Sequence, residues 1–207
     1  MPRLVEGRLV IATHNAGKLA EMRQLLAPYG IDAVSAGELE LAEPEETGTT
    51  FSANAAIKAE AACLATGLPA FADDSGLCAA ALDGEPGIYS ARWAKEAGSF
   101  EAAMAEIGRR IAERGADASR RGTFVSALAL ARPGAPTILV EGRVDGDLVF
   151  PGRGTAGFGY DPIFQPDGHK RTFGEMTSDE KHGLPADGSL ALSHRARAFQ
   201  AFARVCL

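Results

Sequence analysis

Two adjacent carboxylates, Asp73 and Asp74, follow the apolar run LPAFA and precede Ser75 and Gly76. Hard oxygen ligands of this kind suit Mg2+, which keeps several of its own waters. A metal-bound water beside a carboxylate base is a nucleophile for phosphorus. The same residues also read as a solvated Asx turn. On both readings a short buried strand ends at a sharp turn that exposes the two carboxylates. A second source of carboxylate is the run Glu43, Glu45 and Glu46 before Thr47-Gly48. It leads into a helical segment with Asn54 and Lys58 four residues apart, on one face. The ordinary reading of these features is a solvated acidic loop and an exposed lysine on an alanine-rich helix.

Three further segments carry chemical potential. Thr13-His14-Asn15-Ala16-Gly17-Lys18 lies between an apolar strand and a helical period. A helix start offers free N–H groups and the positive end of the dipole to a phosphate, and Lys18 adds a charge in the first turn. The segment is not a P-loop, because Ala12 stands where its first glycine belongs and Leu19 replaces the Ser/Thr. The bland alternative is a tight turn with a solvent-facing lysine. Gly152 to Gly157 matches GxGxxG, but FGYDPIF follows where a dinucleotide fold needs a helix. Phe158, between Gly157 and Gly159, can instead present its ring to a flat base, or it can be a core residue beside a turn. Asp161 can accept a hydrogen bond from a ring N–H. Last, Ser193-His194-Arg195 opens the terminal helix with serine as its cap. Cations in a first turn oppose the dipole at about several tenths of a kcal/mol each, which favours a ligand role. Adjacent helical residues do not face each other, so Ser193 and His194 are no nucleophile pair.

These residues need elements to position them. Arg8 to Thr13 reads as a strand apolar on both faces, as a central strand would be. Leu19, Met22, Leu25 and Leu26 repeat at helical spacing, and Ile31 to Val34 is a candidate second strand. Thr49 or Thr50 can cap the next helix, with Phe51, Ala55, Ile57, Ala62 and Leu64 as its apolar positions. Ser99 opens another helix bearing Phe100, Met104, Ile107 and Ile111. Thr123 to Ala131 and Thr137 to Val144 read as a hairpin joined by ARPGAP. Residues 165 to 191 read as surface loop with a short helix, and the last helix buries Phe199, Phe202 and Val205. This order is α/β with a mixed sheet.

Length and composition bound the rest. A chain of 207 residues with 46% hydrophobic and 23% charged residues can bury a full core. Lys plus Arg is 21 against 27 Asp plus Glu, a net charge of −6 that disfavours nucleic-acid binding. A free nucleotide needs only a local basic cluster. Three cysteines, Cys63, Cys78 and Cys206, form no CxxC pair and suit a reducing cytoplasm. No stretch approaches the roughly 18 apolar residues of a membrane helix, and the opening MPRLVEGRLVIAT holds no apolar run of signal-peptide length.

Five motifs occur in one order: T-H-N-x-x-K, E-E-T-G-T-T-F-x-x-N-A-x-x-K, D-D-S-G-L, G-F-G-Y-D-P-I-F and S-H-R, with P-G-I-Y-S-A-R-W after the third. Together, over about residues 8 to 205, they resemble the inosine triphosphate pyrophosphatase family. The resemblance implies one domain over residues 1–207, an α/β fold with an elongated mixed sheet and flanking helices in two lobes around a nucleotide cleft, and a cytoplasmic homodimer. It implies Mg2+-dependent hydrolysis of ITP, dITP or XTP to the monophosphate and pyrophosphate. Carried over by motif, Thr13, His14, Asn15, Ala16, Gly17 and Lys18 hold phosphate, with Lys58 on the same group. Asp74 is the general base and a metal ligand. The second metal carboxylate is Glu46, in preference to Glu45. Ser75 touches the nucleotide, and Phe158, Gly159, Tyr160, Asp161, Lys181, His194 and Arg195 surround the base. The loop HGLPADGSLAL between Lys181 and Ser193 is longer than is common in the family, which leaves Lys170 as the alternative to Lys181. His14 stands where many members have glycine. A pyrophosphatase of other nucleotide specificity and a non-catalytic nucleotide-binding module are the competing readings.

Overall fold

The computed structural model describes residues 4, 5 and 7–207. Its six strands form one mixed sheet in the order β2-β1-β3-β4-β5-β6. They are β1 (Arg8–Ile11), β2 (Asp32–Ser35), β3 (Ala70–Ala79), β4 (Arg121–Arg132), β5 (Ala135–Leu148) and β6 (Phe164–Pro166). The helices are α1 (Ala16–Leu26), α2 (Phe51–Thr66), α3 (Ser90–Ala97), α4 (Phe100–Glu113), α5 (Ser178–His182) and α6 (His194–Cys206). The described chain gathers into two compact units. The first holds the chain up to Asp74, Ser126–Gly142 and Arg195–Leu207; the second holds Ser75–Val125 and Arg143–His194.

In the first unit β1 lies parallel to both β2 and β3, with Ile11 in register with Phe71. The parallel β1–β3 pairing thus ends two residues before Asp73, while β3 itself runs on to Ala79. Their crossovers run through α1 and α2, as parallel pairing requires. Leu9, Val10, Ile11, Met22 and Leu26 are almost wholly buried. Phe71 meets Phe202 edge-on at 4.8 Å, and Phe199 extends the aromatic cluster.

The second unit has its own core. Ile107 and Ile111 of α4 pack with Leu77, Phe124, Val144, Leu148, Phe164 and Phe173. Pro133 and Gly134 join β4 to β5, with Gly134 at φ +69°, where a side chain would be strained. β5 runs to Leu148 and pairs antiparallel with β6.

Three sequence expectations are corrected. Leu64 is 89% and Val205 50% exposed. The buried stripe of α2 runs instead through Phe51, Asn54, Ala55, Lys58, Ala59, Ala62 and Cys63, so it admits two polar residues in place of Ile57 and Leu64. Residues 165 to 191 are not all surface: Thr172, Phe173, Met176, Lys181, His182 and Ala191 are buried.

The exposure difference within α6 is testable. Phe202→Ala is expected to cost about 3–5 kcal/mol, and Val205→Ala to stay within about 0.5 kcal/mol, by urea unfolding. Equal losses would contradict the assigned helix face.

Candidate active site

β3 does not turn after Asp74. It continues to Ala79, and both carboxylates lie within the strand, Asp73 at 4% and Asp74 at 6% exposure. The expected exposed turn is therefore corrected. The strand can carry two buried acids because cations from three other segments meet them. Successive residues of a strand point to opposite faces, so the two acids find different partners.

Asp73 is fully satisfied. It accepts from Ser126 Oγ at 2.6 Å, pairs with Lys18 Nζ at 2.9 Å and lies 3.4 Å from Arg195 Nη2. Arg195, buried at 2% exposure, also binds Glu21, three residues after Lys18 in α1. Burial opposes ionisation of Asp73, but Lys18, Arg195 and Ser126 outweigh it and hold the carboxyl far below the usual range. Burial likewise disfavours the Arg195 cation, and Asp73 and Glu21 reverse that.

Asp74 is only half satisfied. Its Oδ1 accepts from Lys58 Nζ at 2.9 Å, while Oδ2 is buried and has no hydrogen-bond partner. Lys58 Nζ also donates to Glu46 Oε1 at 2.8 Å. Burial pushes the Asp74 carboxyl up; Lys58 and Lys18 restrain the rise, and Glu46 adds to it. Burial lowers the Lys58 ammonium, but Asp74 and Glu46 more than compensate. Two carboxylates thus share one cation, which leaves a net negative charge beside a bare oxygen.

The local sequence explains the placement. The Asn15 side chain caps α1 by accepting from the Lys18 N–H at 3.0 Å, and Thr13 Oγ1 accepts from the Asn15 N–H at 3.1 Å. The first N–H groups of α1 are left for a ligand. Thr50 caps α2. Buried Asn54 then takes the Gly48 N–H at 2.9 Å, and a Cβ on Gly48 would sit 2.5 Å from Asn54 Oδ1. This holds the acidic loop close enough for Glu46 to reach Lys58. Glu45 is exposed, and so is His14, whose Nε2 lies 3.0 Å from Leu41 O. Lys58 is 8% exposed, which sets aside the ordinary reading of a solvated lysine.

The second unit carries the other motif residues. Lys181 Nζ donates to Asp161 Oδ2 at 2.8 Å, and that oxygen also accepts from the Phe158 N–H at 3.3 Å. A Cβ on Gly157 (φ +77°) would come within 2.0 Å of the same oxygen and 2.3 Å of Lys181 Nζ, so glycine is required there. This accounts for part of the GxGxxG match without a dinucleotide. Phe158 and Gly159 are half-buried, whereas Lys170 is exposed and lends only its carbonyl, to Arg153. His194 is buried and stacks on Phe124 at 4.6 Å and 10°. Ser75, next along β3, is half-buried. The Tyr160 side chain is not open to a ligand. It is 3% exposed, its hydroxyl donates to Ser90 O at 2.8 Å, and burial raises its pKa well above normal. The family resemblance groups Arg195 with the base residues; in the structure it pairs with Glu21 and Asp73, in the first unit. Sequence reading misses Ser126 and Glu21 as supports, since each acts through a partner far along the chain.

Among the described residues no three His, Cys, Asp or Glu side chains converge to hold a metal. A bare buried oxygen on Asp74 beside Glu46 nonetheless suits Mg2+, which needs one or two protein carboxylates when phosphate and water complete its shell. The fold and site therefore define an α/β protein with a carboxylate–lysine centre in β3, just beyond the carboxyl end of its parallel neighbour β1, the side on which such sheets bind ligands. The chain belongs to the Ham1 family, whose model matches residues 9–205. It is 67% identical over 209 residues to the dITP/XTP pyrophosphatase of Rhodopseudomonas palustris, covering 100% of this chain and 99% of that one. It is 53% identical over 212 residues to that of Agrobacterium fabrum, with the same coverage. Among solved structures, a HAM1 protein from Coxiella burnetii superposes with a TM-score of 0.85 at 35% identity, over 97% of this chain and 98% of that one. The Staphylococcus aureus Ham1 protein gives 0.79 at 34%, over 96% and 98%.

The two acids are expected to respond oppositely to substitution. Folding lowers the pKa of Asp73, so its contribution is complete above the unfolded value and is lost as pH falls through the folded one. Folding raises the pKa of Asp74, so its ionised form destabilises at neutral pH. At pH 7 without metal, Asp73→Ala is expected to cost about 3–5 kcal/mol by leaving buried cations short of a partner. Asp74→Asn is expected to keep or raise the unfolding midpoint. A loss at Asp74→Asn equal to that at Asp73→Ala would contradict the assignment.

Proposed function

We propose that this chain hydrolyses non-standard purine nucleoside triphosphates, dITP, XTP and ITP, to the monophosphate and pyrophosphate, with Mg2+. The observation that carries this is the buried, half-satisfied Asp74 beside Lys58 and Glu46, in a chain highly similar to proteins named dITP/XTP pyrophosphatase.

A triphosphate carries close to four negative charges. In this reading the N-terminus of α1, with Thr13 to Gly17, receives phosphate oxygens, and Lys18 and Lys58 neutralise them. Glu46 and Asp74 would hold the Mg2+, which would supply charge neutralisation and make a water more acidic. Asp74 orients a water and takes its proton as the water oxygen bonds to the α-phosphorus. The bond from that phosphorus to the bridging oxygen breaks, and pyrophosphate leaves with the electron pair. The proton passes from Asp74 to solvent. Asp73 stays ionised, holding Lys18 and Arg195 in place. Most of the rate then comes from positioning and charge stabilisation.

Residues of the second unit read the base. Phe158 stacks on it, and Asp161 with Lys181 and His194 offers hydrogen-bonding groups to a 6-oxo purine with a ring N1–H. Arg195, next in α6, stays paired with Glu21 and Asp73 in the first unit. Adenine has an amino group and a bare N1 at these positions. Mismatched buried groups of this kind discriminate by about 10⁴-fold. Ser75 contacts the nucleotide. No helix among the described residues is long and apolar enough to cross a membrane. Three free cysteines suit a reducing cytoplasm, and the homodimer expected from the family resemblance completes the proposal.

The test is product analysis with dITP, XTP, ITP, GTP and ATP, with and without Mg2+. Pyrophosphate is expected from the first three, with little from GTP or ATP and none without metal. Orthophosphate as first product would refute attack at the α-phosphorus, and tight binding without turnover would make the chain a binding module. Asp74→Asn is expected to lose nearly all turnover while still binding nucleotide. Phe158→Ala is expected to weaken binding by about 1–3 kcal/mol.

A further inference from the structure

The long loop between Lys181 and Ser193 raises a physical problem. Lys181 and His194 bracket it, and both must be fixed if they read a base. A flexible segment of this length does not fix the distance between its ends.

The fold closes the loop at its neck. Within α5, Lys181 and His182 are adjacent and both buried, at 2% and 4% exposure. Lys181 Nζ reaches Asp161, while His182 Nδ1 lies 2.8 Å from Ser193 Oγ. Ser193, at 1% exposure, also donates its N–H to Lys181 O at 3.0 Å. Two hydrogen bonds, one from backbone and one between side chains, therefore join the residues that flank the loop. The tip folds on itself, with Gly188 N–H donating to Pro185 O at 3.2 Å and Ser189 N–H to Asp187 Oδ1 at 2.9 Å. Leu190 is 62% exposed, while Ala191 at the neck is buried. Thr177 and Glu180 form a capping box that fixes the other end of α5.

We propose that His182 and Ser193 are positioning residues for base selection. Their side-chain bond clasps the loop neck, so Lys181 and His194 keep one separation whatever the tip does. The clasp rests on the base-reading role given above to Lys181 and His194. His182 acts through Lys181, which precedes it, and Ser193 through His194, which follows. Small displacements of such groups are enough to lose a selective contact.

The experiment is steady-state kinetics with Mg2+ on dITP and dATP for the wild type, His182→Leu, His182→Asn, Ser193→Ala and the His182→Leu/Ser193→Ala double variant. Inorganic tripolyphosphate, which has no base, serves as a competitive inhibitor. His182→Leu is expected to raise KM for dITP about tenfold, with kcat within about twofold. The preference for dITP over dATP should fall by a similar factor, and the tripolyphosphate Ki should not move. His182→Asn, whose amide can take the place of Nδ1, should recover most of the loss. The double variant should be no worse than the worse single one, the signature of a shared interaction. Unchanged KM and preference in a folded His182→Leu or Ser193→Ala protein would overturn the clasp. So would a loss spread equally over kcat, every nucleotide and tripolyphosphate, which marks general destabilisation. A wild type that fails to turn over dITP would overturn the base-site reading and the clasp with it. An active wild type with indifferent variants would overturn the clasp alone.

Discussion

Two adjacent acids buried in one strand constrain the first unit more than any other feature. An ionised carboxylate out of water is costly unless charge and hydrogen bonds meet it. Asp73 receives a full complement from Ser126, Lys18 and Arg195. Asp74 receives one lysine, shared with Glu46, and keeps a bare oxygen. The difference divides the labour between neighbours. The satisfied acid anchors the cations, and the unsatisfied one retains the capacity to bind a further cation or a proton. Perturbed acids of opposite sense are a mark of functional sites.

The surrounding elements are arranged to hold that asymmetry. β1 ends in register with Phe71 of the longer β3, which brings the start of α1 to Asp73. α2 turns Asn54 and Lys58 inward on the stripe that also buries Ala55, Ala59 and Ala62. Small neighbours leave room for the lysine stem, whose methylenes pack while its ammonium reaches the acids. The second unit uses a related device on a smaller scale. Lys181 and Asp161 pair beneath a glycine turn that any Cβ would block, and the pair fixes the backbone at Phe158.

Much of this was legible in the residues, and the failures are specific. The strand before THNAGK, the helix after it, a threonine cap at 49 or 50 for α2, the β4–β5 hairpin and the aromatic face of α6 follow from local pattern. Asp73 and Asp74 were read as an exposed turn because Ser-Gly signals a turn and two acids signal water. The partners that permit their burial come from α1, α2, β4 and the start of α6, and no local window contains them. The bland reading of Lys58 as an exposed lysine fails for the same reason, since its partners lie before α2 and in β3. Leu64 and Val205 show the converse. An apolar residue at plausible helical spacing lies outside when the true stripe is shifted by one position. The role of Lys181 across the long loop was open in sequence because loop length gives no end-to-end distance; backbone and side-chain bonds at the neck supply it.

The central claim is that the two neighbouring carboxyls differ in kind. It is tested most directly by carboxyl NMR on the metal-free protein labelled with ¹³C at aspartate side chains, assigned with Asp73 and Asp74 variants. The account predicts that Asp74 titrates above the ordinary aspartate range, while Asp73 stays ionised to the lowest pH at which the fold persists. Added Mg2+ should move the Asp74 signal before that of Asp73. Two ordinary titrations, or the reverse order, would contradict it.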